Sequence, residues 1–230
     1  MVTENYREVE ARVAAACARS GRKREDVTLI AVSKTKPVEM IRELMAIGVQ
    51  DFGENKAQEL KEKSEQIPEP LHWHFIGNLQ TNKVKYVVGR ACLIHSVNSL
   101  HLAEALQREA EKKQLVCQVL VEVNIAQEAT KSGIGEEDAV QLVRQVSQLP
   151  NLEVRGLMAI APPVESPEEN RPYFREMKRL AGEIEKLELP RVQMKELSMG
   201  MTGDFEVAIE EGATMVRVGT AIFGQRTKPV

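Results

Sequence analysis

Cysteine is scarce: Cys17, Cys92 and Cys117 are the only three, and they form no CxxC pair. That usage argues against a disulfide framework and suits reduced thiols, so the expected compartment is the cytoplasm. No apolar run approaches membrane-spanning length, and residues 1–20 carry Glu4, Glu8 and Glu10 where a signal peptide needs an uninterrupted apolar stretch. Neither a membrane partner nor a leader is expected. A basic excess is also missing. The formal charge of −3 argues against nucleic acid as the main partner, because binders of the phosphate backbone carry a net basic domain or stripe. Neither a P-loop nor a dinucleotide GxGxxG occurs. Histidines number four, His72, His74, His95 and His101. His72 and His74 alternate on one strand and share a face, but zinc would need further ligands from other strands, so no metal is expected. A Ser/His pair such as Ser33 with His74 has no nucleophile-elbow motif behind it.

Core-forming material is ample, with 43% hydrophobic and 28% charged residues and no low-complexity segment. A length of 230 residues falls within the range of a single α/β barrel, so residues 1–230 are expected to form one domain. Val9, Val13 and Ala16 recur at helical spacing and predict an amphipathic first helix. Strands are then predicted at 29–33, 49–52, 72–76, 92–96, 116–123, 154–160, 195–198 and 214–218. Helices are predicted between them at 37–47, 56–66, 80–88, 99–113, 136–148, 167–187 and 204–211. Eight strands alternating with helices predict a closed parallel (β/α)8 barrel of the TIM type, preceded by an extra helix. Function in such barrels gathers at the C-terminal strand ends. Those ends read Lys34, Asn55, Asn78, Ser96, Asn124, Met158, Ser198 and Gly219-Thr220, a ring of mostly small or polar groups.

Lys34 stands out, because a buried apolar strand delivers it to the functional face and Pro37 comes next as a helix opener. Desolvating an ammonium is costly, whereas an amine with a depressed pKa is a good carbonyl nucleophile, so Lys34 is the candidate Schiff-base lysine. A strand-end lysine that snorkels to solvent is the plainer reading of the same residue. Ser198-Met199-Gly200-Met201-Thr202-Gly203-Asp204 and Val218-Gly219-Thr220 lie at the C-terminal ends of the last two strands. Their glycines let backbone N–H groups approach an anion, and Ser198 and Thr220 add hydroxyls, at the usual phosphate position of this fold. Arg217 shares a strand face with Gly219 and needs an acceptor, for which a ligand ring nitrogen or a phosphate would serve. His74 and Asn78 read as the polar lining of a pocket rim. Lys131 is expected on a loop of the functional face, and Pro162, Pro163 and Pro167 on a stiffened loop.

Taken together, Ala31-Val32-Ser33-Lys34-Thr35-Lys36-Pro37, Phe52-Gly53-Glu54-Asn55, Trp73-His74-Phe75-Ile76-Gly77, Lys131-Ser132-Gly133, Arg155-Gly156-Leu157-Met158, Ser198-Met199-Gly200-Met201 and the run from Met215 to Gly224 resemble the pyridoxal phosphate homeostasis proteins. The resemblance runs from the first strand to the chain end. It implies a barrel like the N-terminal domain of alanine racemase, holding pyridoxal 5′-phosphate as an internal aldimine on Lys34. It further implies that Arg217 faces the pyridine nitrogen, that Ser198, Met199, Gly200, Gly219 and Thr220 surround the phosphate, and that Asn55 and His74 lie near the ring or its entrance. Racemases of the related fold draw a second acid/base from a C-terminal β domain, which a chain stopping at Val230 is not expected to have. The implied function is a monomeric, non-enzymatic carrier that buffers pyridoxal phosphate and delivers it to apo enzymes. The alternative is a narrow amino-acid racemase or lyase.

Overall fold

A computed structural model of the chain describes residues 1–126 and 133–225, and Lys131 lies outside them. Eight parallel strands close in sequence order into a barrel, with β8 returning to β1. The strands are β1 (Thr28–Val32), β2 (Asp51–Glu54), β3 (His72–Phe75), β4 (Leu93–Val97), β5 (Cys117–Val123), β6 (Leu152–Ala159), β7 (Val192–Met201) and β8 (Met215–Val218). Around them run α1 (Val2–Arg19), α2 (Val38–Met45), α3 (Ala57–Gln66), α4 (Val84–Val87), α5 (Leu100–Lys112), α6 (Glu136–Val146), α7 (Arg171–Glu185), α8 (Phe205–Glu210) and α9 (Thr220–Phe223). Among the described residues no helix is long and apolar enough to cross a membrane.

Period-two alternation builds two cores. On β1, Leu29 and Ala31 face outward into the layer shared with Ile41, Leu44 and Leu60 of the helices. Ile30 faces the lumen, where it packs with Leu93, Leu120, Met158 and Met215. This apolar plug, together with polar side chains beside it, fills the barrel, so a ligand meets its C-terminal mouth. Helix α1 packs on α8, α9 and α2, over the seam where β8 meets β1. Asn5 Nδ2 donates to the Ile222 carbonyl at 3.0 Å, and Arg22 Nη1 donates to the carbonyls of Ile209 and Ala213 at 2.8 and 2.7 Å.

Strand boundaries depart from the sequence pattern in two places that matter. β2 starts two residues late because the Val49 N–H closes the end of α2 on the Leu44 carbonyl. β7 has ten residues, and its first five are only half-buried or exposed, so they carry no apolar signature. At its other end the strand runs on through Met199 and Gly200, with a register shift against β8, and stops at Met201 rather than Ser198, which leaves Ser198 inside the lumen.

Gly200 lies at a register shift between β7 and β8, with φ of +95°, and a Cβ there would sit 2.6 Å from the Ala208 Cβ of α8. The glycine is what lets α8 lie against the strand. Gly200→Ala is expected to lose about 2–4 kcal/mol, from the backbone conformation and from overpacking. Gly182→Ala, in exposed helix with nothing within 4 Å, is expected to gain about 0.5–1 kcal/mol. Thermal unfolding of the two variants checks both signs.

Candidate functional site

Beyond Val32 the chain turns sharply, the Lys36 N–H donating to the Ser33 carbonyl at 3.0 Å. Lys34 and Thr35 occupy the corners, and Thr35 has φ of +63°. A positive φ at the third turn position is ordinary for glycine and strained for a β-branched residue. Lys34 shares the inward face of Val32, and both line a cavity of about 310 Å³ at the C-terminal mouth. Its remaining wall combines Lys36, Asn55, Thr202, Arg217 and Thr220 with the backbone of Gly203, Gly219 and Gly224 and the apolar Ile76, Ile160 and Met201. Volume and lining are those of a pocket for one small molecule.

Asn55 is placed by Gly77, where a Cβ would sit 2.1 Å from the Asn55 carbonyl oxygen. The glycine permits that backbone contact, and the Asn55 side-chain oxygen is left buried without a hydrogen-bond partner. An orphaned acceptor on the cavity wall is a place for a ligand donor.

Arg217 projects into the lumen from β8 with only 4% exposure. Burial pulls its guanidinium down to about 10 from its usual 12.5, against the favourable charges of Asp204 and Glu122, so it remains a cation at neutral pH. Its Nη2 donates to the Ala159 carbonyl at 2.9 Å and its Nη1 to Ser198 Oγ at 2.6 Å. From Ser198 the contacts continue to His95 Nδ1 at 2.8 Å, from His95 Nε2 to His74 Nδ1 at 3.0 Å, and from His74 Nε2 to Asp51 Oδ1 at 3.1 Å. An arginine only donates and an ionised carboxylate only accepts, so with both imidazoles neutral the protons between them run one way. The Ser198 hydroxyl donates to His95, His95 donates through Nε2 to His74, and His74 donates through Nε2 to Asp51. Burial, with the neighbouring His74 and Arg217, holds His95 well below 6.5. Burial alone would raise the Asp51 carboxyl, but the hydrogen bonds from His74 and His72 counter it and the group is held low.

Of the residues singled out from sequence, the structure brings Lys34, Asn55, Arg217, Gly219 and Thr220 to one cavity. It does not bring five others to the cavity wall. Ser198 is fully buried, with its hydroxyl committed to Arg217 and His95. Met199 is fully buried in the layer between sheet and helices, and Gly200 faces α8. His74 is 3% exposed and sits in the lumen between His95 and Asp51, not at a rim. Asn78 is exposed outside the cavity. Sequence reading gave no wall role to Ile76 and Ile160, and placed Met201 and Thr202 only within the segment expected to meet an anion. Ile76 and Ile160 share the inward faces of His74 and Met158, so the alternation that served for Arg217 reaches them, whereas a register shift between Ser198 and Met201 hides Met201 from it.

Fold and mouth together place the chain among barrels of the alanine racemase type, and the family model for the alanine racemase N-terminal domain matches residues 5–227. An alanine racemase of Clostridium difficile shares the fold, with a TM-score of 0.77 over 98% of this chain and 58% of that one, at 15% identity. Within that class the chain belongs to the pyridoxal phosphate homeostasis protein family. It is 46% identical over 224 residues to the pyridoxal phosphate homeostasis protein of Aquifex aeolicus, covering 97% of both. The structure of PipY of Synechococcus elongatus with pyridoxal phosphate bound is also similar. It has a TM-score of 0.82 and 37% identity, over 94% of this chain and 100% of that one.

The polarised chain below Arg217 has a measurable consequence. Nitrogen NMR of the folded protein is expected to show both His74 and His95 as Nε2–H tautomers, with His95 staying neutral well below pH 6.5. Because the unfolded chain takes up that proton and the folded one does not, stability falls as pH drops below about 6.5, by up to about 1.4 kcal/mol per pH unit from this group. His95→Gln removes that part of the slope. A His95 resonance titrating with a midpoint near 6.5 contradicts the assignment.

Proposed function

We propose that the chain holds pyridoxal 5′-phosphate through a covalent link to the Lys34 amine, and that it buffers and hands on the cofactor rather than catalysing with it. Residues 1–230 act as one cofactor-binding unit in this reading. The observation that carries it is the placement of an amine and a buried guanidinium, Lys34 and Arg217, in one cavity with a hydroxyl-and-glycine lobe. Bound pyridoxal phosphate supplies an aldehyde that condenses with amines and a ring that can draw electrons from them.

The residues present fit that group. Ile76, Ile160, Val32 and Met201 form apolar walls for a ring. Thr202, Gly203, Gly219 and Thr220 offer hydroxyls and glycine backbone to a phosphate, which moves the phosphate cup one strand end outward from Ser198 and Gly200. The buried Asn55 oxygen can accept from a ring hydroxyl. Lys36 is tied by its amine to the carbonyls of Gly224 and Gln225 at 3.1 and 3.0 Å, so it braces the C-terminal wall.

Two features favour a carrier over a racemase or lyase. Arg217 offers a donor to the ring nitrogen and no carboxylate, so it does not keep that nitrogen protonated, and the ring is a weaker electron sink. His74, the residue best suited in chemistry to act as a second acid/base, is committed to His95 and Asp51 inside the lumen. Names of relatives support the same reading, since they are homeostasis proteins by name.

Protein mixed with pyridoxal phosphate is expected to become coloured, Lys36→Ala to keep the colour and Lys34→Ala to lose it. The coloured protein is then expected to restore an apo pyridoxal-phosphate enzyme faster than free release of the cofactor allows. Reactivation no faster than release into solution leaves only a passive reservoir. Turnover of amino acids at ordinary enzyme rates removes the carrier reading altogether.

A further inference from the structure

Two amines, Lys34 and Lys36, line the same cavity, and something must select between them. We propose that the buried ion cluster Glu54, Lys63 and Glu59 is a positioning clamp that sets the turn at 33–36 and so presents Lys34, not Lys36, as the attachment amine. The proposal rests on the cofactor reading above.

The cluster lies behind the strands. Gly53 and Val32 face the lumen, so alternation turns Glu54 and Ser33 outward toward α3. Lys63 reaches in from α3 and its Nζ donates to Glu54 Oε1 at 2.8 Å, to Glu59 Oε1 at 2.7 Å and to the Ser33 carbonyl at 2.8 Å. The Ser33 hydroxyl donates to Glu54 Oε1 at 2.6 Å, and the Thr35 N–H donates to Glu59 Oε1 at 2.6 Å. Both residues that flank Lys34 are therefore gripped from the side opposite the cavity, one by its carbonyl and hydroxyl, the other by its N–H.

Stability alone is a poor explanation for these charges. Glu54 is fully buried and Lys63 is 5% exposed, and well-packed apolar replacements for such clusters are often neutral or stabilising. Burial raises the Glu54 carboxyl even with Lys63 and Ser33 against it, a sign of how costly the site is. What the cluster does supply is geometry. Thr35 holds a left-handed φ of +63° that a β-branched residue does not adopt unaided, and its N–H is fixed in that turn by Glu59. Released, Thr35 returns to negative φ, the turn opens, and Lys34 swings away from its inward register. Lys36, two residues on and already on the cavity wall, becomes the competing amine.

Glu59 is the member to vary, since its side chain is 19% exposed and its loss leaves Lys63 paired with Glu54. Linking joins Nζ to the aldehyde carbon with loss of one water, and borohydride then adds a hydride that makes the bond permanent. Peptide mapping reads which lysine carries the pyridoxyl group, and visible absorbance reads how fast it attaches. Wild-type label is expected on Lys34. Glu59→Ala is expected to slow attachment by on the order of tenfold and to raise the Lys36 share severalfold, with Glu59→Gln, which still accepts from the Thr35 N–H, in between. Adding Thr35→Gly to Glu59→Ala restores rate and register, because glycine takes a positive φ without steric cost; a merely structural role gives no such rescue. Thermal unfolding confirms that each variant is folded. Glu59→Ala with wild-type rate and label, or a double variant as impaired as Glu59→Ala, overturns the clamp alone. Wild-type protein that labels neither lysine overturns the cofactor reading and the clamp with it.

Discussion

A guanidinium buried in the lumen of a barrel is the constraint on which the rest of the interior depends. Arg217 cannot shed its charge at neutral pH and has almost no contact with water, so the barrel must give it acceptors. It does so with the Ala159 carbonyl and with a hydroxyl, Ser198, which can accept from Arg217 only by sending its own proton elsewhere. The path for that proton's orientation is His95, then His74, then Asp51. Four inward positions on four strands are thereby spent on orienting one donor. The remainder of the lumen is apolar, and the remaining side of Arg217 faces the mouth.

β1 shows how a strand end can be controlled from both sides. Its inward face gives the cavity Val32 and Lys34. Its outward face gives Ser33 to an ion cluster that also holds the N–H of Thr35. Pairing of β1 with β8, with Ile30 beside Arg217, brings the amine and the guanidinium to one mouth although they are far apart in the chain. The closure of the barrel is thus a condition of the site, and α1 covers the seam at which it closes.

Much of this was legible in the chain itself. Alternation of strand and helix patterns yielded eight strands in the right order, and strand parity put Arg217 on the face of Gly219 and Lys34 on that of Val32 and Ile30. Ser198 was misplaced for a physical reason. Met199-Gly200-Met201 looks like a glycine turn, whereas β7 runs on through it with a register shift against β8, so its lumenal residue looked terminal. Gly200 was read as a phosphate glycine when its conformation answers to helix packing, and no residue-level signal separates those two uses. His74 was read at a rim because its hydrogen-bond partners, His95 and Asp51, come from other strands. The clamp left a trace that could have been used: Lys63 falls on the apolar stripe of α3 between Leu60 and Ile67, where a charge needs a buried partner.

The central claim is an arrangement, in which one small molecule spans from the Lys34 amine to Arg217 across the mouth with its phosphate over Thr202, Gly203, Gly219 and Thr220. A crystal structure of the chain grown with pyridoxal phosphate tests it most directly. The account predicts continuous density from Lys34 Nζ to the cofactor, the ring nitrogen within hydrogen-bond reach of the Arg217 guanidinium, and the ring hydroxyl toward Asn55. Cofactor bound through another lysine, or with its ring nitrogen turned away from Arg217, would contradict it.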